Sequence, residues 1–235
     1  MKTSVIGYPR IGALRELKFA CEKYFKGNVT ESELFHTAKH IRCTQWTQQR
    51  ESGLDFIPSN DFSLYDNVLD TAVLFNIIPD RYKALGLSAL DTYFAMARGY
   101  QGDKGDVKAL AMKKWFNTNY HYIVPEADDG TELKLTGTKP FDEFREALEL
   151  GIQTKPVITG AFTLLKLVRF TGTKTEKDFI AQTAEAYAKI LEQFAALGAE
   201  WVQFDEPYLV FDLSADDIAL FQELYRTILE RKSGV

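Results

Sequence analysis

A chain of 235 residues, 46% of them hydrophobic, carries enough apolar side chain for one large core. Its formal charge of −5 excludes a general nucleic-acid-binding surface, which needs a basic excess. Only two cysteines occur, Cys21 and Cys43, which excludes a disulfide scaffold and suits a reducing, cytoplasmic compartment. No apolar run approaches the ~18 residues of a membrane span, and Tyr8-Pro9-Arg10 cuts short the apolar stretch after Met1, so neither a leader nor a membrane partner is expected.

The first element is a short strand over 3–7. It breaks into Tyr8-Pro9-Arg10-Ile11-Gly12, and Arg15-Glu16-Leu17-Lys18 then opens a helix. A helix start favours anions through its free N–H groups and its dipole, and Arg10, Arg15 and Lys18 bring side-chain charge to the same place. Arginine in a first turn opposes that dipole, a local conflict of the kind found at working sites. The plain alternative is a solvated helix start.

Thr30-Glu-Ser-Glu33 reads as a capping box opening a helix to about Ser52, with Gly53 as its stop. Leu34, Phe35, Ala38, Ile41 and Trp46 should face the core. A strand follows over 55–58, then a polar segment, Pro58 to Asp66, rich in capping and turn residues. Helices are expected over Asp80 to about Gly99 and Val107 to about Phe116, separated by a loop, Gln101 to Asp106. A strand over 120–124 leads to a turn at Asp128-Asp-Gly130. A helix over Phe141 to Leu150, a strand over 155–159, a helix over Glu176 to Leu197 and a strand over 200–204 complete the pattern.

This alternation predicts an α/β chain with about five parallel strands covered by helices. Five strands do not close an eight-stranded barrel, which typically takes ~250 residues. An open doubly wound sheet and an incomplete barrel both fit.

Three further groupings bear on chemistry. In Met112-Lys113-Lys114-Trp115-Phe116-Asn117-Thr118-Asn119-Tyr120-His121-Tyr122, cations, rings and amides suit a flat heterocycle bearing carboxylates; a buried aromatic strand is the alternative. In Trp201-Val-Gln-Phe-Asp205-Glu206-Pro207, two acids end an apolar strand, fit either for proton transfer in a small stand-alone enzyme or for capping a helix. His36, His40 and Cys43 share one helix face at i, i+4, i+7, but an exposed polar face accounts for them better than zinc.

Four segments, in order, resemble cobalamin-independent methionine synthase, specifically its N-terminal domain. They are Gly7-Tyr-Pro-Arg-Ile-Gly12 with Arg15-Glu-Leu-Lys18, Asp61-Phe-Ser-Leu-Tyr-Asp66, Lys114-Trp-Phe-Asn-Thr-Asn-Tyr-His-Tyr122, and Trp201-Val-Gln-Phe-Asp-Glu-Pro207. The resemblance implies methyl transfer from 5-methyltetrahydropteroyltri-L-glutamate to homocysteine, without cobalamin. It implies a (βα)8 TIM-barrel-like fold, here an incomplete barrel spanning 1–235. The family's zinc belongs to a C-terminal barrel whose ligands this chain lacks, so the chain alone should be inactive. Folate-polyglutamate contacts carry over to Arg15, Glu16, Leu17, Lys18 and Lys114. Self-association through open sheet edges is also expected.

Overall fold

The computed structural model describes residues 1–230. In chain order it comprises α1 (Glu16–Phe25), α2 (Glu31–Glu51), β1 (Pro58–Ser59), α3 (Asn67–Leu74), α4 (Asp80–Lys83), α5 (Ala89–Arg98), β2 (Tyr100–Gly102), β3 (Gly105–Val107), β4 (Met112–Lys114), β5 (His121–Ile123) and β6 (Glu126–Ala127). It continues with α6 (Lys139–Glu149), β7 (Lys155–Thr159), α7 (Ala161–Leu167), β8 (Arg169–Phe170), α8 (Ile180–Ala196), β9 (Gln203–Asp205) and α9 (Ala215–Glu230). The chain folds as two compact units. One holds residues 1–64, 139–157 and 197–203, and the other holds 65–138, 158–196 and the chain from Phe204 onward.

In the first unit the capping box forms as its sequence dictates. Thr30 Oγ1 accepts the Glu33 N–H at 3.2 Å, and Glu33 returns a carboxylate to the Thr30 N–H at 2.7 Å. Trp46, Ile57, Ala147 and Ile152 form an apolar cluster, and the Trp46 indole donates to Pro58 O at 3.0 Å. β1 pairs parallel with β7, Pro58 opposite Lys155, and a single parallel bridge joins Ser4 to Phe56. Under this unit lies an ionic network. Arg42, only 8% exposed, lies 2.7 Å from Glu146 and 3.8 Å from buried Glu143, and Lys139 reaches Glu143 at 3.1 Å.

The second unit is built on α3, whose Asp66 cap accepts the Leu69 N–H at 2.7 Å. Val68, Tyr122, Val124 and Leu167 cluster there, with Trp115 and Tyr208 packed against them. β2–β3 and β4–β5 are antiparallel hairpins, while β6 and β8 pair parallel.

The α/β class with parallel pairing is therefore present, and β1, β7 and β9 form one sheet in that order. Among the described residues no sheet closes on itself. Several local expectations are corrected. Val107 to Phe116 is not a helix: it supplies the end of β3 and all of β4, because pairing with β2 and β5 outweighs a modest helical pattern. Gln101 to Asp106, expected as a loop, pairs as the β2–β3 hairpin. The strand expected over 120–124 is antiparallel rather than part of a parallel sheet. The long helix from Asp80 divides because Gly86 turns left-handed at φ 58° and Ser88 starts a new helix by capping Asp91 N–H at 3.0 Å. Phe35, expected in the core, is 42% exposed. The expected strand over 3–7 is reduced to the Ser4 bridge.

Candidate functional site

The cationic turn before α1 is shaped by its own backbone. Gly12 adopts φ 84° and Arg15 adopts φ 65°, a left-handed conformation that a side chain with a Cβ takes up at a cost of about 1–3 kcal/mol. Glu16 folds its carboxylate back to accept the Leu14 N–H at 3.0 Å, and a Cβ on Gly12 would lie 2.1 Å from Glu16 Oε2. Leu17 is fully buried, and its N–H bonds Ile11 O at 3.2 Å. Glu16 and Leu17 thus hold the turn closed.

The three cations of this turn have different fates. Arg10 donates to Ser63 O and Leu64 O, both at 3.1 Å, so it ties the segment down. Lys18 is 3.6 Å from Glu22, an exposed i,i+4 pair. Arg15 is exposed and has no ion pair or side-chain hydrogen bond among the described residues, and α1 has no side-chain cap.

The turn is braced from beneath. Asp61 accepts the Tyr8 N–H at 2.7 Å, the Tyr8 hydroxyl donates to Gln48 at 2.8 Å, and Gln45 donates to Pro9 O at 2.8 Å. Burial pushes the Asp61 carboxyl up to about 6; nearby Glu143 adds to this, while the Tyr8 N–H and Lys139 oppose it. Asn60, left-handed at φ 62°, is held by Lys139 at 2.8 Å and by Glu143, which accepts the Asn60 N–H at 3.0 Å. Sequence reasoning gave the Pro58 to Asp66 segment, which holds Asn60 and Asp61, mainly turn and capping roles. No spacing rule links Asp61 to a helix 80 residues later.

In the second unit, Lys114 lies on β4 rather than at a helix end. It is exposed, and its side chain has no partner among the described residues. The hairpin closes through the Trp115 N–H to Tyr120 O bond at 2.7 Å, with Phe116 left-handed at φ 52°. Trp115 packs edge-on against Phe116 and Tyr122. The aromatic-strand reading therefore accounts for the rings, and the lysine stays on the surface. Arg15, Glu16, Leu17 and Lys18 are brought together in the first unit, and Lys114 belongs to the second.

The paired acids at the end of β9 take the capping role. Glu206 accepts the Phe162 N–H at 3.0 Å and the Thr163 N–H at 2.7 Å, so it caps α7, and it also accepts the Tyr225 hydroxyl at 2.6 Å. Burial, reinforced by the Glu206 charge, pushes the Tyr225 phenol far up and keeps it a donor. A carboxylate committed to three donors is not a general base, which removes Glu206 from the small-enzyme alternative.

Among the described residues no group of three or more His, Cys, Asp or Glu is placed to hold a metal ion. His36 and His40 are exposed on α2 and Cys43 is half-buried. The described residues therefore do not form a zinc centre. No helix among the described residues is long and apolar enough to cross a membrane.

The family model for the cobalamin-independent synthase, N-terminal domain, matches residues 2–235. The chain belongs to this family. Proteins named 5-methyltetrahydropteroyltriglutamate–homocysteine methyltransferase are similar over its length. The Campylobacter jejuni subsp. doylei protein is 59% identical over 235 residues, 100% of this chain and 31% of its own. The Streptococcus suis protein is 55% identical over the same shares, and that of Bifidobacterium animalis subsp. lactis 54% over 238 residues, 99% of this chain and 31% of its own. The chain thus spans about a third of the length of these relatives. A structure described as a vitamin-B12-independent methionine synthase from Listeria monocytogenes matches with a TM-score of 0.62 at 15% identity, over 99% of this chain and 63% of that one, a likeness of fold.

Proposed function

We propose that this chain is the N-terminal portion of a cobalamin-independent methyltransferase that moves the methyl group of 5-methyltetrahydropteroyltri-L-glutamate to homocysteine. Its own contribution is to hold carboxylates of the folate's glutamate tail. Arg15 and Lys18 serve in the first unit and Lys114 in the second. The parallel pairs β1–β7 and β6–β8 are read as strands of an incomplete (βα)8 barrel in a cytoplasmic enzyme. Zinc chemistry and homocysteine binding are assigned to polypeptide outside these 235 residues, and open sheet edges favour self-association of the isolated chain.

The observation that carries this reading is the state of Arg15. It is exposed and unpaired, at an uncapped helix start, and held in a strained conformation by Glu16, Leu17 and Gly12. Strain of this kind persists where the surrounding structure over-determines it, and it clusters at ligand clamps. Chemically, the guanidinium grips a carboxylate bidentately, whereas Lys18 and Lys114 act as point charges. A well-formed charge-assisted hydrogen bond contributes about 1.5–3 kcal/mol, and a floppy exposed ion pair about 0–1 kcal/mol. Lys18 must also give up its Glu22 contact, which costs about 0.3–0.5 kcal/mol. Arg15 is therefore expected to dominate in the first unit.

Isothermal titration of a polyglutamylated folate into wild type and an Arg15→Ala/Lys18→Ala/Lys114→Ala variant tests the role. The variant should bind more weakly; equal affinities would eliminate the site. A methyl-transfer assay on the chain alone should read zero, and robust turnover without added polypeptide would refute the division of labour.

A further inference from the structure

We propose that His121 is a second, pH-gated contact for the carboxylates that Lys114 receives, an inference that rests on the tail-binding role given to Lys114 above.

Lys114 and His121 are direct cross-strand partners in the β4–β5 hairpin. Directly opposed residues of an antiparallel pair project from the same face with Cβ atoms about 4.5–5.5 Å apart. Both residues are exposed. Tyr122, the next residue on β5, takes the opposite face and is buried with Val68 and Val124. The hairpin therefore presents an ammonium and an imidazole side by side to solvent, fixed by the strand register.

No acid compensates them: among the described residues neither side chain has an ion-pair or hydrogen-bond partner. The titratable groups on the elements packed here are Lys113 on β4, Tyr122 on β5, and Asp66 and Asp70 at α3. Asp66 accepts the Leu69 N–H at 2.7 Å and Asp70 accepts the Tyr93 hydroxyl at 2.7 Å. Like charges directly opposite each other on a sheet destabilise it. Histidine changes charge within the physiological range, so acidification turns the pair into a two-cation clamp whose repulsion a bound carboxylate relieves. Glutamate side chains stay ionised well below that range, so the ligand does not lose its charge over the same interval.

The test uses p-aminobenzoyl-tri-L-glutamate as the probe and the 235-residue chain. The chain has three histidines, and His36 and His40 on α2 serve as internal controls. Imidazole signals are followed by NMR from pH 5 to 8 with and without probe, and affinity is measured at pH 5.5 and 7.5. The inference expects the His121 titration curve to move to higher pH with probe, while those of His36 and His40 stay in place. By linkage, wild type should bind roughly three- to fivefold more tightly at pH 5.5, the size of one exposed ion pair, and His121→Gln should lose that gain while still binding at pH 7.5. Binding that depends on Lys114 with an unmoved His121 curve would overturn this inference and leave the tail-binding reading standing. A probe whose binding is unaffected by Lys114→Ala and Arg15→Ala, or that does not bind at all, would overturn both.

Discussion

Gly160→Ala isolates one steric contact. Gly160 has φ −67° and ψ 155°, which alanine adopts freely, so the substitution adds no backbone strain. The new Cβ, however, would lie 2.2 Å from Glu206 Cδ and 2.3 Å from its Oε1. The carboxylate must leave, and with it the bonds to Phe162 N–H, Thr163 N–H and the Tyr225 hydroxyl. Hydrogen bonds to charged groups contribute about 1.5–3 kcal/mol each, and solvent re-satisfies part of what is lost, so a net destabilisation of about 3 kcal/mol is expected. For a chain of this length that lowers Tm by about 6–12 °C. Thermal and urea unfolding followed by circular dichroism measure it. Glu206→Gln, which keeps the shape but not the charge, should cost about half as much. A Gly160→Ala protein within about 0.5 kcal/mol of wild type would show that Glu206 does not hold α7 and β9 together in this way.

Arg42→Met strips Glu146 of its ion-pair partner and leaves Glu143 to Lys139 and the Asn60 N–H; it should cost about 3–5 kcal/mol in urea melts, whereas an effect below about 1 kcal/mol would show the network to be dispensable. Asp61 carries a pH signature: its folded value near 6 lies above the unfolded 3.8, so its contribution to stability is fully present below pH 4 and is lost as pH rises through 6. Wild type should therefore gain about 2 kcal/mol relative to Asp61→Asn on going from pH 7.5 to 4; a pH-independent difference between the two melts would refute it. Arg15→Gly and Arg15→Ala both remove the guanidinium, but only alanine keeps a Cβ in the left-handed region. The glycine variant should be more stable by about 1 kcal/mol, with equal loss of tail binding.

The legible parts of the fold were those fixed by local rules. The Thr30–Glu33 box and the strand over 155–159 stand as read, and the helix over 139–149 begins two residues earlier than expected. The hairpins were missed because each strand is only three residues long, too short for alternation to outweigh the helical look of 107–116. A helix was expected after the fifth strand but without bounds, although Ser214 and Asp217 form a reciprocal cap at the start of α9, at 3.1 Å in each direction. At the candidate site, the sequence singled out Arg10, Arg15 and Lys18 as one cluster. Which of them remains open to a ligand depends on contacts with residues about fifty positions away, as when Ser63 and Leu64 claim Arg10. Glu206 was legible as a carboxylate with two plausible uses, and only the approach of α7 decided between them.

The central claim is that side chains of this chain hold a folate's glutamate tail, and comparing p-aminobenzoyl monoglutamate with the triglutamate by titration at low and moderate salt tests it most directly. The account predicts that the triglutamate binds about tenfold more tightly, by a margin that shrinks with salt and vanishes in Arg15→Ala/Lys18→Ala/Lys114→Ala. Equal affinity for the two ligands, or a margin untouched by removing the three cations, would contradict it.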